Sequence, residues 1–355
     1  MPTTYAIPDG RVAMAATLYT GNGTSQTIAN TVNGVNFQPD FVWMKSRSNT
    51  YSNILYDVIR GTGTGASLSS DSTGAEGANS VNANMSAFTS TGFTVGTTSS
   101  TNILNNSSGS FVGWQWKAGG TAVSNTAGSI TSSVSANTTA GFSVVTYTGT
   151  GANATVGHGL GVAPSMVIVK NRGSTDVWSV YHSSLGATQL IILNRTDATA
   201  TVSTAWNSTA PTSSVFSLGT LADTNRSTYN FVAYCFAPVA GYSAFGSYTG
   251  NGSADGPFVY LGFRPRWLMI KRSSSASVTY GWQMYDTSRQ PANTASSDPN
   301  LWADTSAAEG TGNYTFDLLS NGFKLRSSGV NENASGDTYI YAAFAENPFK
   351  YANAR

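Results

Sequence analysis

Charge is scarce in this chain. Only 10% of its 355 residues are Asp, Glu, Lys or Arg, against roughly 25% in a typical globular domain. The 18 basic and 17 acidic residues leave a formal net charge of +1. No run of Lys and Arg builds the positive face that a nucleic-acid partner requires, so none is expected. Cysteine is nearly absent. Cys235 stands alone, which excludes an internal disulfide, and beside Ala233 and Phe236 it reads as a small buried hydrophobe. The two histidines, His158 and His182, have no metal-ligand spacing to each other or to Cys235, so neither a zinc site nor a cofactor is expected. No apolar run approaches 18 residues, and no membrane insertion is expected. The start "MPTTYAIPDGRVAMAATLYTG" has an early Pro and Asp and no basic lead into an apolar stretch, unlike a secretory signal. Synthesis in a cytoplasm and a soluble product are the expectation. A Gly-x-Ser-x-Gly elbow, a His-Glu-x-x-His pair and a phosphate loop are also missing. "GTGTGAS" at Gly61 to Ser67 looks like part of a dinucleotide loop, but no helix follows it. No window carries apolar residues at a sustained helical period.

What the chain does have is 40% hydrophobic and 12% aromatic content, enough for real cores. Its polar surface must come from Ser, Thr, Asn and Gly. Low net charge with frequent aromatics is not a disorder signature.

The text is written three times. "YTGNG" at Tyr19, "YTGTG" at Tyr147 and "YTGNG" at Tyr248 each follow a strand-like segment. A proline comes 20, 17 and 17 residues after each tyrosine, at Pro39, Pro164 and Pro265. Six residues after each proline an apolar run ends in Lys45, Lys170 or Lys271. A second strand then ends in Tyr56-Asp57, Tyr181-His182 or Tyr285-Asp286. Repeats one and three carry matching loops, "DSTGAEG" at Asp71 to Gly77 and "DTSAAEG" at Asp304 to Gly310, which repeat two lacks. "STGF" at Ser90 and "SNGF" at Ser320 mark hairpins, and each repeat closes in an aromatic strand: "FVGWQW", "FVAYCF" or "YIYAAF". The period is too long for a solenoid and suits a unit with its own core. We place three units at residues 1–119, 120–238 and 239–355, the second being divergent.

Runs of Val, Ile, Phe, Tyr, Trp and Thr bounded by Gly, Asn, Ser and Pro read as strands. "FVWMK", "MVIVK" and "WLMIK" are apolar at every position before the lysine. Successive strand residues face opposite ways, so each of these strands is covered on both sides and lies centrally in its sheet. The fold class is all-β: three tandem β-sandwich domains of jelly-roll or lectin-like type.

Candidate site residues follow from the repeated text. A hairpin would set Lys45 beside Asp57 and Lys271 beside Asp286 as cross-strand pairs, with His182 removing the pair from Lys170. This reads as structural, as do Pro39, Pro164 and Pro265. The two acidic loops offer oxygen ligands, but their spacing matches no calcium loop, and a local loop-stabilising role is the better reading. No metal is expected. Most of the eight tryptophans lie in apolar strands and read as core. Trp206 in "TAWNSTAP" and Trp302 in "NLWADTS" sit among polar residues, where an indole could stack on a sugar. No catalytic constellation is visible, so no enzyme is expected. A carboxylate pair for glycoside cleavage has no pointer in the sequence.

"NFQPDFVWMKSRSNTYSNILYDVIRG", "FVGWQWKAGG" and the ending "YIYAAFAENPFKYANAR" resemble a repeat widespread in tailed phages, especially aquatic ones, whose proteins are labelled tail-fibre or virion structural proteins. The resemblance covers nearly the whole chain and is most specific at Pro39 to Lys45 and Ala343 to Tyr351. It implies a non-enzymatic virion component located on the tail, in contact with other virion proteins and with host surface glycans, and a homotrimer by analogy with fibres. A capsid decoration or head-fibre protein is the alternative, and a polysaccharide depolymerase the lesser one. It carries over no catalytic or binding residue.

Overall fold

The structure, a computed structural model, describes residues 5–275, 281–290, 293, 298–311 and 316–348. Residues 349–355 of the ending that carries the resemblance lie outside them. Strands take 42% of residues and helices 4%, so the fold is all-β, built from stacked antiparallel sheets. Among the described residues no helix is long and apolar enough to cross a membrane.

Each third of the chain supplies one large sheet on a common plan. An anchor strand (Met14–Thr20, Phe142–Thr148, Ser243–Thr249) pairs with a closing strand (Ser110–Trp116, Asn230–Phe236, Thr338–Pro348). The closing strand pairs with a core strand (Phe41–Ser46, Met166–Asn171, Phe263–Arg272), and this pairs with a return strand (Ile54–Asp57, Ser179–His182, Trp282–Asp286). The core strand is thus interior to the sheet in every repeat. Pro39 and Pro164 precede it. Pro265 falls within it, at a bulge, where a missing N–H is tolerated.

Alternation explains why the core strand is apolar throughout. Val42 and Met44 pack with Ile28, Phe93 and Val95 of a small second sheet. Phe41 and Trp43 point the other way and join a larger cluster. Val167 and Val169 divide from Met166 and Ile168 in the same manner. That larger cluster draws on all three repeats. The Trp116 ring lies 5.3 Å from Trp267, 5.7 Å from Phe344 and 6.4 Å from Phe236, and Phe41 stacks on Tyr234 at 4.3 Å. The expectation that each repeat has a core of its own therefore accounts for one face of each large sheet and not the other. One face of each large sheet closes its own sandwich. The other meets the neighbouring repeats in a shared aromatic hub.

The "YTGxG" anchors are equally regular. Tyr19, Tyr147 and Tyr248 stack on Phe111, Phe231 and Tyr339 with centroids 5.1, 5.2 and 5.0 Å apart. Their hydroxyls donate to the carbonyls of Leu104, Thr224 and Glu332 at 2.9, 2.6 and 2.7 Å. The following residue, Asn105, Asn225 or Asn333, accepts at its side-chain oxygen from Asn22 N, Thr150 N or Asn251 N. In each anchor the first glycine lies where a Cβ would meet a carbonyl within 2.3 Å, and the second has a φ of +67° to +74°. Only glycine fits both places.

Candidate functional site

The chemistry-bearing residues collect at the seams between repeats. In each repeat the loop after the return strand crosses to the next repeat and makes the same three contacts. Glu76 N donates to Arg172 O at 2.9 Å, Thr199 N to Ser273 O at 2.9 Å and Glu309 N to Arg47 O at 2.8 Å. Three residues earlier, Thr73 O, Thr196 O and Ser306 O accept from the ammonium groups of Lys170, Lys271 and Lys45 at 3.0, 2.9 and 2.7 Å. Seven residues earlier, Ser69 O and Ile192 O accept from the indoles of Trp178 and Trp282 at 2.8 and 2.9 Å, and Trp302 O accepts from the Asn53 amide at 3.0 Å. Repeat one reaches repeat two, two reaches three, and three reaches one. The chain closes a three-membered ring.

The lysines are therefore structural cations in carbonyl cages. Lys170 also donates to Ser174 O and Asp176 O, and Lys45 to Tyr51 O. All three are fully buried. Burial pulls each ammonium down to about 8, against the opposing pull of Asp71 on Lys45, Asp176 on Lys170 and Asp304 on Lys271. The expected cross-strand pairs do not form. The hairpin register places Asp57 opposite Phe41, His182 opposite Met166 and Asp286 opposite Trp267. In every repeat the lysine lies four residues further along the core strand than the residue facing the acid or histidine, about 13 Å away.

Asp57 and Asp286 begin a charge chain instead. Asp57 Oδ2 binds Arg60 Nε at 2.5 Å, Arg60 Nη1 reaches Glu76 Oε1 at 3.0 Å, and Glu76 Oε2 takes Arg172 Nε at 2.7 Å. In repeat three Asp286, Arg289, Glu309 and Arg47 repeat the chain at 2.6, 3.2 and 2.7 Å. Each chain alternates two acids with two bases and is neutral overall. The first acid also receives a hydrogen bond across the hub, Asp57 from the Tyr234 hydroxyl and Asp286 from the Trp114 indole, both at 2.9 Å. Burial pushes the Asp286 carboxyl up, and the charge and hydrogen bonds of Arg289 reverse this and hold it below the usual range.

At the seam from repeat two to repeat three all four charges are gone. His182, Leu185, Thr199 and Ser273 occupy the four places. His182 Nε2–H donates to Tyr341 O at 3.1 Å and Nδ1 accepts from Ser184 N at 3.2 Å, so the ring is neutral. Burial lowers its pKa to about 4. The loop of repeat two keeps its path and its three main-chain contacts without the acidic text.

Trp206 and Trp302 are 1% and 4% exposed. Trp206 packs edge-on against Tyr181 at 5.9 Å. Buried indoles offer no face to a sugar, so stacking at these two positions is overturned. Their polar neighbours in sequence are not their neighbours in space. Among the described residues no three His, Cys, Asp or Glu side chains gather as a metal ion would need, and Glu76 and Glu309 face arginines.

Arg60, Arg289 and the three asparagines were not among the residues expected from sequence. The arginines stand three places after Asp57 and Asp286, and repeat two loses both members together. The asparagines each lie six residues before the first aromatic of the closing strand. These spacings are legible once the repeats are aligned.

Residues 12–348 match the model of a family described as Domain of unknown function (DUF7483). The chain belongs to this family. The DUF7483 match runs through all three repeats. No curated protein matches the chain, and no solved structure does.

Proposed function

We propose that this DUF7483 chain is a non-enzymatic structural component of a tailed-phage virion, part of the tail or a tail fibre, joined to other virion proteins and contacting host surface glycans. One observation carries the reading. The repeated lysines, aspartates and arginines that sequence singles out are engaged in holding three repeats in a ring, which is an architectural use of charge. The resemblance of Pro39 to Lys45 and of the chain's ending to tail-fibre proteins supplies the particle. Where such fibres gather three chains, here one chain makes the threefold ring, and we take the single chain as the attaching unit. The same ring favours a second reading, a decoration protein seated on a threefold position of the capsid. Antibody–gold labelling of intact virions separates them. Gold on the tail supports the first, gold over the capsid supports the second, and particles free of label refute both.

A further inference from the structure

The large sheet of repeat two is wider than its counterparts. In repeats one and three the anchor strand is the sheet edge, whereas in repeat two the strands Val123–Asn125 and Ser132–Asn137 continue beyond it. These strands carry the hub face outward past the hub. Along that face the side chains change character. Phe142 and Val144 on the anchor strand are hub residues, while Thr146 and Thr148, of the same parity, are not. Ser124, Ser133 and Thr146 stand directly opposite one another across three strands. Thr148 stands opposite Asn230, whose carbonyl accepts from Arg172 N at 2.8 Å. These residues, with Thr131, line an open groove of about 380 Å³. A second hollow of about 230 Å³ shares Arg172 and Asn230 and adds Tyr229 and Glu76.

We propose that this double groove binds a neutral saccharide chain. The floor is a lattice of hydroxyls and one amide, groups that can each donate or accept, which is the pattern a polyol presents. The one guanidinium on the floor is already matched, with Arg172 and Glu76 at 2.7 Å, so the groove offers no unpaired charge to a phosphate or an acidic sugar. Tyr229 stands at the rim, 37% exposed. The Arg226 guanidinium lies 5.4 Å from its ring centroid, which fixes the ring as a platform for the C–H face of a pyranose. The pieces come from two repeats, since Glu76 belongs to the loop of repeat one. Among the described residues repeats one and three show no counterpart of the two extra strands, and the groove occurs in repeat two.

The proposal gives the glycan contact of the preceding reading its place and rests on that reading only for the source of the sugar. The test is a printed array of neutral and acidic microbial glycans probed with the full chain. Calorimetric titration of neutral array hits against wild type, Thr148→Arg and Tyr229→Ala follows. Thr148 and Tyr229 are both exposed, and melting curves confirm folding of each variant. Binding of at least one neutral oligosaccharide, weakened about tenfold or more by either variant, is expected. Binding of no neutral glycan, binding of acidic glycans alone, or unchanged affinity in both folded variants overturns the site. Virions free of gold with glycan binding intact would refute the particle assignment alone. Labelled virions with no glycan binding would refute the groove alone.

Discussion

Thr199 N donates to Ser273 O at 2.9 Å, in the same place where Glu76 N meets Arg172 O and Glu309 N meets Arg47 O. At two seams this main-chain bond lies beside a carboxylate–guanidinium pair. At the third it stands without one. The seam geometry is set by the backbone and the caged lysine, and the charge chain is an addition to it.

That relationship predicts a rescue. Thr199→Glu or Ser273→Arg alone should leave stability unchanged or slightly lower, because each adds a charge without a partner. Together they should couple favourably by about 1 kcal/mol, the range of a well-formed, partly exposed pair. A double-mutant cycle by urea denaturation measures the coupling. A value near zero would mean that the seam cannot accept the chain.

Removing a member from an intact chain should cost more. Glu76→Gln leaves the fully buried Arg60 side chain short of one acid and cuts its link to Arg172. We expect a loss of about 2 kcal/mol, below the full cost of orphaning a buried charge because Asp57 remains. The Asp57→Ala variant should lose more, since it leaves Arg60 with Glu76 as its one remaining acid and also removes the acceptor of the Tyr234 hydroxyl. Thermal melting of both variants against wild type checks the order.

The hub predicts that the repeats unfold as one. Trp116→Ala opens a void facing Phe236, Trp267 and Phe344, and a buried Trp→Ala change costs about 3–5 kcal/mol. The loss should be felt in all three repeats. Hydrogen exchange followed separately in each should report a common change in opening free energy. Destabilisation confined to repeat one would refute the shared core.

Two buried groups tie stability to pH with opposite signs. His182 has a folded pKa of about 4 against an ordinary 6.5. The unfolded chain takes the proton first, so stability falls as pH drops from 6.5 toward 4, by up to about 3 kcal/mol. His182→Gln should flatten that limb, read as urea midpoints at pH 7, 5 and 4. A variant that loses stability in acid as steeply as wild type would exonerate His182.

Glu332 stands where repeat one has Leu104. Burial raises its pKa to about 7 from 4.5. The folded state holds this proton longer, so the stability it allows is full below pH 4.5 and lost as pH rises through 7. Glu332→Leu should therefore stabilise the protein at pH 8, by up to about 3 kcal/mol, and change it much less at pH 4. Equal effects at both values would contradict the assignment.

Much of the fold was legible. Apolar residues at every position of "FVWMK" before the lysine imply cover on both faces, and the structure provides it. Periodicity cannot name what lies on the second face, so the hub was invisible while the sandwiches were plain. The Lys45–Asp57 pairing failed because register depends on the turn between strands, and counting from a lysine to an acid does not fix it. Trp206 and Trp302 failed because sequence neighbours were read as spatial ones. The seam loops were half legible. Their acidic text was seen, but its partners lie in another repeat, some 96 residues from Glu76 to Arg172, where local pattern carries no information.

The cyclic closure also bears on dilution. Three separate chains arranged this way would part below their dissociation constant. Here two short connections hold the members at high effective concentration, so a single copy keeps its symmetry however few molecules are present. Separate identical chains would also have to use one residue at all three corners. Linked ones need not, and Asp57, His182 and Asp286 have taken that freedom.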